Sequence, residues 1–297
     1  MRTWRFGKPK TPGFGISRDF YLTILSSRAV LPPMLEMINP TGAGGAVVGF
    51  GAPLAEGASK DSLGRPLERG AYAIASKDQR TVLRLFAMSK EEAGFDPEPF
   101  LRSPLASQVS EELRLRVRAT WLIGQLTFES HDPMVYPSID FLLDFAARFA
   151  YLTEGVVADP ISRRYLLPEE VRHVHRVDPL IDARDVVGLS HRVQDGIHLF
   201  TLGMQKFGMP EFEMKGIQVA DLPQAESFMM GLCQTNLLGS KSHLQDKIGA
   251  PGLEFEVREG GLDRGLWEGI DVWELTPAAI HTTGECLAAW QAKLGRV

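Results

Sequence analysis

The sequence predicts an α+β protein in which two mixed or antiparallel sheet units are each packed against helices. Three observations carry that prediction. Hydrophobic residues make up 44% and charged residues 23% of the 297 residues, which leaves enough apolar material for a core. Two long segments repeat apolar residues at helical spacing. Around them lie short runs rich in β-branched and aromatic residues, several of which alternate apolar and polar positions as half-buried strands do.

In chain order, FYLTILSS reads as a strand and AVLPPMLEMI as a short helix with Pro33 at a tolerated early position. GAVVGFG reads as a brief strand inside a glycine-dense stretch, and TVLRLFAMS as a further strand. PLASQVSEELRLRVR is a charged helix. ATWLIGQLTFE alternates, with Leu122, Leu126 and Phe128 on one face and Trp121 and Ile123 on the other, as a central strand would. YPSIDFLLDFAARFAYLTEG is the strongest helix: Ile139, Leu142, Leu143, Ala146, Phe149 and Ala150 share a face, with Ser138 as the expected N-cap and Gly155 as its end. GVVADP follows as a strand, so strand, helix and strand form a βαβ-like unit.

Residues 160–195 are polar and broken by prolines, and read as a connecting segment. HLFTLGM and EFEMKGIQV then form a hairpin around the turn QKFGMP. ADLPQAESFMMGLCQTNLLG is the second amphipathic helix, with Leu222, Ala225, Phe228, Met229 and Leu232 on one side; LEFEVRE and IDVWELTP are strands, and ECLAAWQAKLG a closing helix. The expected organisation is an N-terminal unit at 1–160, a connection at 161–195 and a C-terminal unit at 196–297, able to merge into one domain.

With 32 Lys and Arg against 37 Asp and Glu, the formal charge of −5 argues against a general attraction to nucleic acid. No apolar run has the roughly 18 residues of a membrane span, and the opening residues lack a secretory signal. Arg2, Arg5, Lys8, Lys10 and Arg18 make that opening basic, as a solvated terminus or a gripping arm would be. Cys233 and Cys286, far apart and in helical segments, read as apolar core residues of a cytoplasmic protein.

Four sets of residues could carry function. Glu211 and Glu213, two apart on a strand, and Glu254 and Glu256, in the same arrangement, would form an acidic interaction surface if the two strands paired. In the bland form of that reading, Phe212, Met214, Phe255 and Val257 face the core while all four glutamates face water. His173 and His175, with Asp178 and His191, are the best seed for a metal site, although the six arginines between 163 and 192 equally suit an exposed, charge-balanced connection. The glycine-rich loop 42–51 could approach a phosphate, but it contains neither G-x-G-x-x-G nor G-x-x-x-x-G-K-[ST]. Lys206 lies within the hairpin turn.

The run T-L-G-M-x-x-F-G-M-P-E-F-E at Thr201–Glu213 resembles an uncharacterised bacterial domain-of-unknown-function family with the motif T-x-G-x-x-x-F-G-x-P-E-x-E. The segment F-L-x-x-x-A-x-x-x-A-x-L-T-x-G-V-V-x-D-P at Phe141–Pro160 looks like the helix and strand that precede it in such proteins. The resemblance implies a bacterial α+β fold, carries over no activity or catalytic residues and leaves the function open. The expected function is a non-catalytic intracellular protein-binding module, an adaptor or an immunity-type inhibitor, with a protein partner and no cofactor. The alternatives are a metal-dependent hydrolase using the His173/His175 region and a nucleotide or small-ligand binder using loop 42–51.

Overall fold

The computed structural model describes residues 14–39, 49–54, 64–103, 106, 109–174, 178, 180–193, 195–263 and 265–294. The basic arm at Arg2, Arg5, Lys8 and Lys10 lies outside them.

The first strand, β1 (Tyr21–Ser26), lies between two later ones. β5 (Leu122–Ser130) and β6 (Val156–Asp159) both pair antiparallel with it, so they run parallel to each other, and α4 (Tyr136–Leu152) carries the chain across. This is the expected βαβ unit with a strand inserted in its middle. The sheet is completed by β2 (Gly49–Pro53), β3 (Gly70–Ser76), β4 (Val82–Ser89) and β7 (Arg164–Leu166), in the order β2-β3-β4-β5-β1-β6-β7. Leu122 and Leu126 of β5 enter the main core, whereas Ile123 faces a second cluster with Phe100 of α2 (Glu98–Leu101) and Val117 of α3 (Glu111–Arg118). α1 (Met34–Ile38) buries Met34 and Met37.

The apolar stripe of α4 is buried as its spacing requires, with Leu142, Phe145 and Phe149 fully inaccessible. A side chain at Gly124 would place its Cβ 2.4 Å from the Phe149 ring, so the glycine lets the helix approach β5. Ser138 is not the N-cap. The helix starts at Tyr136 behind Val135, and the buried Ser138 hydroxyl accepts from Asp132 N at 2.7 Å and bonds Thr81 Oγ1 at 2.6 Å.

The second sheet has the order β11 (Lys247–Ala250), β12 (Leu253–Glu259), β13 (Val272–Pro277), β10 (Glu211–Ile217), β9 (Ile197–Leu202) and β8 (Gly188–Val193). Its pairs are antiparallel except β10 with β13. α6 (Leu222–Leu237) and α7 (Thr283–Leu294) pack beside it. One continuous cluster joins Ile24, Leu85 and Phe149 of the first half to Phe212, Phe228 and Leu287 of the second.

The segment 161–195 is therefore built into both sheets: it contributes β7, α5 (Ala183–Val186) and β8. Short strands with mixed polar content escape a periodicity search, because two or three residues per face give little alternation.

Candidate functional site

The hairpin β9–β10 is closed by a 3-10 turn, Met204–Phe207, and that turn is held by Glu211. The buried Glu211 carboxylate accepts from Gly203 N at 2.7 Å, Gln205 N at 3.2 Å and Thr201 Oγ1 at 2.7 Å. Thr201 Oγ1 in turn accepts from Phe212 N at 2.8 Å. Gly203 has φ 126° and its Cβ would stand 2.7 Å from Val186 O, so only glycine fits. The turn ends on Gly208 in the left-handed region. Thr201, Gly203, Gln205 and Glu211 thus form one hydrogen-bonded unit. Burial pushes the Glu211 carboxyl upward, against the donors around it.

Lys206 points from this turn into the first half of the chain. Its fully buried ammonium donates to Asp159, at the end of β6, and to Val186 O at 2.6 Å, and lies 4.9 Å from the centre of the Phe20 ring. Asp159 also accepts from Ser162 and faces Arg164, whose guanidinium reaches Arg184 O at 2.7 Å and Asp185 O at 2.8 Å. Burial draws Lys206 down to about 8 despite the attraction of Asp159. For Asp159, burial acts upward, but Lys206 and Arg164 outweigh it and hold the carboxyl below its usual range.

Glu213 is the second hub. Arg192 Nε donates to His198 Nδ1 at 3.0 Å, so His198 Nε2 carries the proton and donates to Glu213 at 2.8 Å. Trp267 Nε1 at 3.0 Å, Gly261 N at 3.0 Å and Lys215 Nζ at 2.9 Å donate to the same carboxylate. Burial opposes ionisation, yet His198, Gly261 and Lys215 hold Glu213 at about 2.

The expectation that Glu211 and Glu213 face water is corrected: both are buried. Phe212 and Met214 do enter the main core, but the opposite face is also covered, by a small cluster of Phe200, Leu202, Val272 and Trp267. Glu254 and Glu256 lie partly exposed on β12, with Phe255 and Val257 buried on the other side. The strands β10 and β12 do not pair, because β13 runs between them and brings Glu274 level with Glu213 and Arg258. Lys215 bridges Glu213 and Glu274 at 2.9 and 2.7 Å, so this carboxylate row carries its own cations.

Among the described residues, His173, Asp178 and His191 do not come together as a metal centre. His173 turns its Nδ1 to the buried Asp185, 3.0 Å away, and its backbone N–H donates to the same oxygen at 2.8 Å. Asp178 accepts from Leu180 N at 2.7 Å, and His191 is exposed on β8 opposite Leu199. His175 lies outside the described residues. Among the described residues no group of three or more His, Cys, Asp or Glu could hold a metal ion. Of the loop 42–51, positions 42–48 lie outside the described residues, and Gly51 in β2 backs directly onto Met34. Cys233 and Cys286 are free and buried, and burial pushes the Cys233 thiol well up.

What the sequence did not reveal is a cleft of about 760 Å³ between α6 and β11. Phe228, Met230 and Leu232 of α6, Ile248 of β11 and Trp290 of α7 form its apolar wall, and the Phe228 and Trp290 rings meet edge to face at 5.1 Å. Among the described residues β11 is an edge strand, paired with β12 alone. Its register runs from Ala250 opposite Leu253, and Val257 N donates to Asp246 O. The alternation of an antiparallel ladder therefore directs the N–H and C=O of Lys247 and Gly249 away from β12. The signal in the sequence was α6 itself, whose Met230 lies off the predicted stripe.

Among the described residues no helix is long and apolar enough to cross a membrane. No protein-family model, curated protein or solved structure matches the chain.

Proposed function

We propose that the chain is a non-catalytic protein-binding module, an adaptor or immunity-type inhibitor, that takes an extended segment of a partner against the β11 edge. On this reading it is an intracellular bacterial protein of the uncharacterised family whose motif it resembles. The observation that carries the reading is the junction of an unpaired strand edge with an apolar cleft. An added strand gains main-chain hydrogen bonds from Lys247 and Gly249, and alternate side chains enter the space beside Met230 and Trp290. The chemistry of the buried hubs supports it from the other side: Glu211, Glu213 and Lys206 spend their polar atoms on internal partners.

Selection of random twelve-residue peptides against the full chain tests the reading. Gly231, exposed on α6 and lining the cleft, has nothing within 4 Å of a built Cβ. Gly231→Arg therefore fills the cleft while stabilising the helix by about 0.5–1 kcal/mol. Lys247→Pro removes an outward donor and leaves the β12 ladder in place. Both variants are expected to bind the selected peptides at least about tenfold more weakly. Undiminished binding in both would exclude the β11 edge as the site.

A further inference from the structure

A second cleft, of about 700 Å³, opens on the first sheet, away from the α6–β11 groove. Its apolar wall is Val30, Leu31, Leu67 and Trp121, with Val30 60% and Trp121 61% exposed. A tryptophan so open to solvent is unusual, since its ring is the largest apolar surface a side chain can bury. Its backbone is fixed nonetheless: Trp121 N donates to Ser26 O at 2.8 Å and Lys90 N donates to Trp121 O at 3.0 Å. The indole is presented by a rigid strand end.

The charged rim is mainly acidic. Glu68, Glu91 and Glu92 line the cleft with Arg69 as the cation, and Arg69 is taken by Glu92 at 3.0 Å. Glu92 Oε2 also accepts from Ser89 N at 2.7 Å, which fixes the turn that carries it. Among the described residues neither Glu68 nor Glu91 has an ion-pair partner. Hydrogen bonds from its own amide and from Ser89 hold Glu91 below the usual carboxylate range, so it is ionised at neutral pH.

We propose that this cleft docks a basic segment of a partner protein, with an arginine or lysine stem laid along Trp121 and its cation held by Glu68 and Glu91. The complementarity is of shape and charge together. A guanidinium or ammonium is attracted to an indole face, its methylene stem covers apolar surface, and the carboxylates without an ion-pair contact supply the sign. An acidic segment would meet like charge, and a purely apolar one would leave the rim unanswered. The cleft and the β11 groove are independent, so failure of one leaves the other standing.

Calorimetric titration of the full chain with a capped octapeptide alternating leucine and arginine, and with its leucine–glutamate counterpart, tests the proposal. The basic peptide is expected to bind and the acidic one not to. Trp121→Ala is expected to weaken binding about tenfold or more. The double change Glu68→Gln with Glu91→Gln should weaken it about tenfold and flatten its salt dependence. Lys247→Pro should leave it unchanged. Equal binding of both peptides, unchanged affinity in the double glutamine variant, or self-association of the chain abolished by Trp121→Ala would overturn the proposal. Because Trp121 is largely exposed, the alanine variant is expected to keep its melting temperature, and should it unfold, the glutamine variant decides.

Discussion

Two glutamate pairs with the same spacing have opposite fates. Glu211 and Glu213 of β10 and Glu254 and Glu256 of β12 stand on the same side of one sheet, each pair interleaved with residues that enter the core. The β10 pair is buried and saturated with donors, whereas the β12 pair is partly exposed, with Glu256 met by Arg258 at 2.9 Å. The difference is position in the sheet. Both strands have neighbours on each edge, but β10 lies inside the sheet with Trp267 above its outer face, while β12 is one strand from the β11 edge. Alternation tells which residues share a face; it does not tell what lies above that face.

The sharpest way to break the comparison is to remove one hub. Glu213→Leu leaves His198, Gly261 N, Trp267 and Lys215 without the acceptor they share, and is expected to cost about 3–5 kcal/mol in urea unfolding. The ionised form carries that stability. Glu213 has a folded value of about 2 against an ordinary 4.5, so the unfolded chain binds more protons between them, and this contribution is full above pH 4.5 and is lost as pH falls towards 2. The Leu variant should lack that acid limb; a loss below about 1 kcal/mol would show that the hub is solvated.

Lys206→Met comes next, at about 3 kcal/mol, because Asp159 then keeps Arg164 but loses the cation buried against it. Adding Asp159→Asn should recover part of that loss. The slope of stability against pH has the same sign as that of Glu213, rising with pH, but it lies in the alkaline range and reflects a charged form that burial disfavours rather than one that its partners hold. Lys206 is lowered from 10.5 to about 8, so between these values the unfolded chain binds the extra proton and stability rises with pH. That rise, read as the difference between the native chain and Lys206→Met, should vanish in the variant; an identical alkaline profile for both would mean that Lys206 is reached by water.

The sequence makes the strands β1, β4, β5, β9, β10, β12 and β13 and the helices α4, α6 and α7 legible, because each has enough residues for its period to show. It hides β3, whose GAYAIAS has small side chains, and β7, β8 and β11, which are short or polar. The hubs are hidden for a different reason. Lys206 and Asp159 stand 47 positions apart and Glu213 and Trp267 stand 54 apart, so neither pairing leaves a local trace. The hairpin stretch was legible as architecture, but the charges inside it read as surface, since burying Glu or Lys requires partners that only the folded chain supplies.

The smallest effect belongs to the other side of the comparison. Glu254→Gln with Glu256→Gln is expected to change stability by less than about 0.5 kcal/mol, since Glu256 has a solvent-exposed arginine as its ion-pair partner and stands across from Lys247 on an edge strand. Loss of the ion pair with Arg258 is the main term, and it should fade with added salt. Thermal melts at low and high ionic strength measure both. A loss of 2 kcal/mol or more, insensitive to salt, would mean that β12 is covered in solution as β10 is within the chain, and the contrast between the two glutamate pairs would then be a matter of which cover is intramolecular.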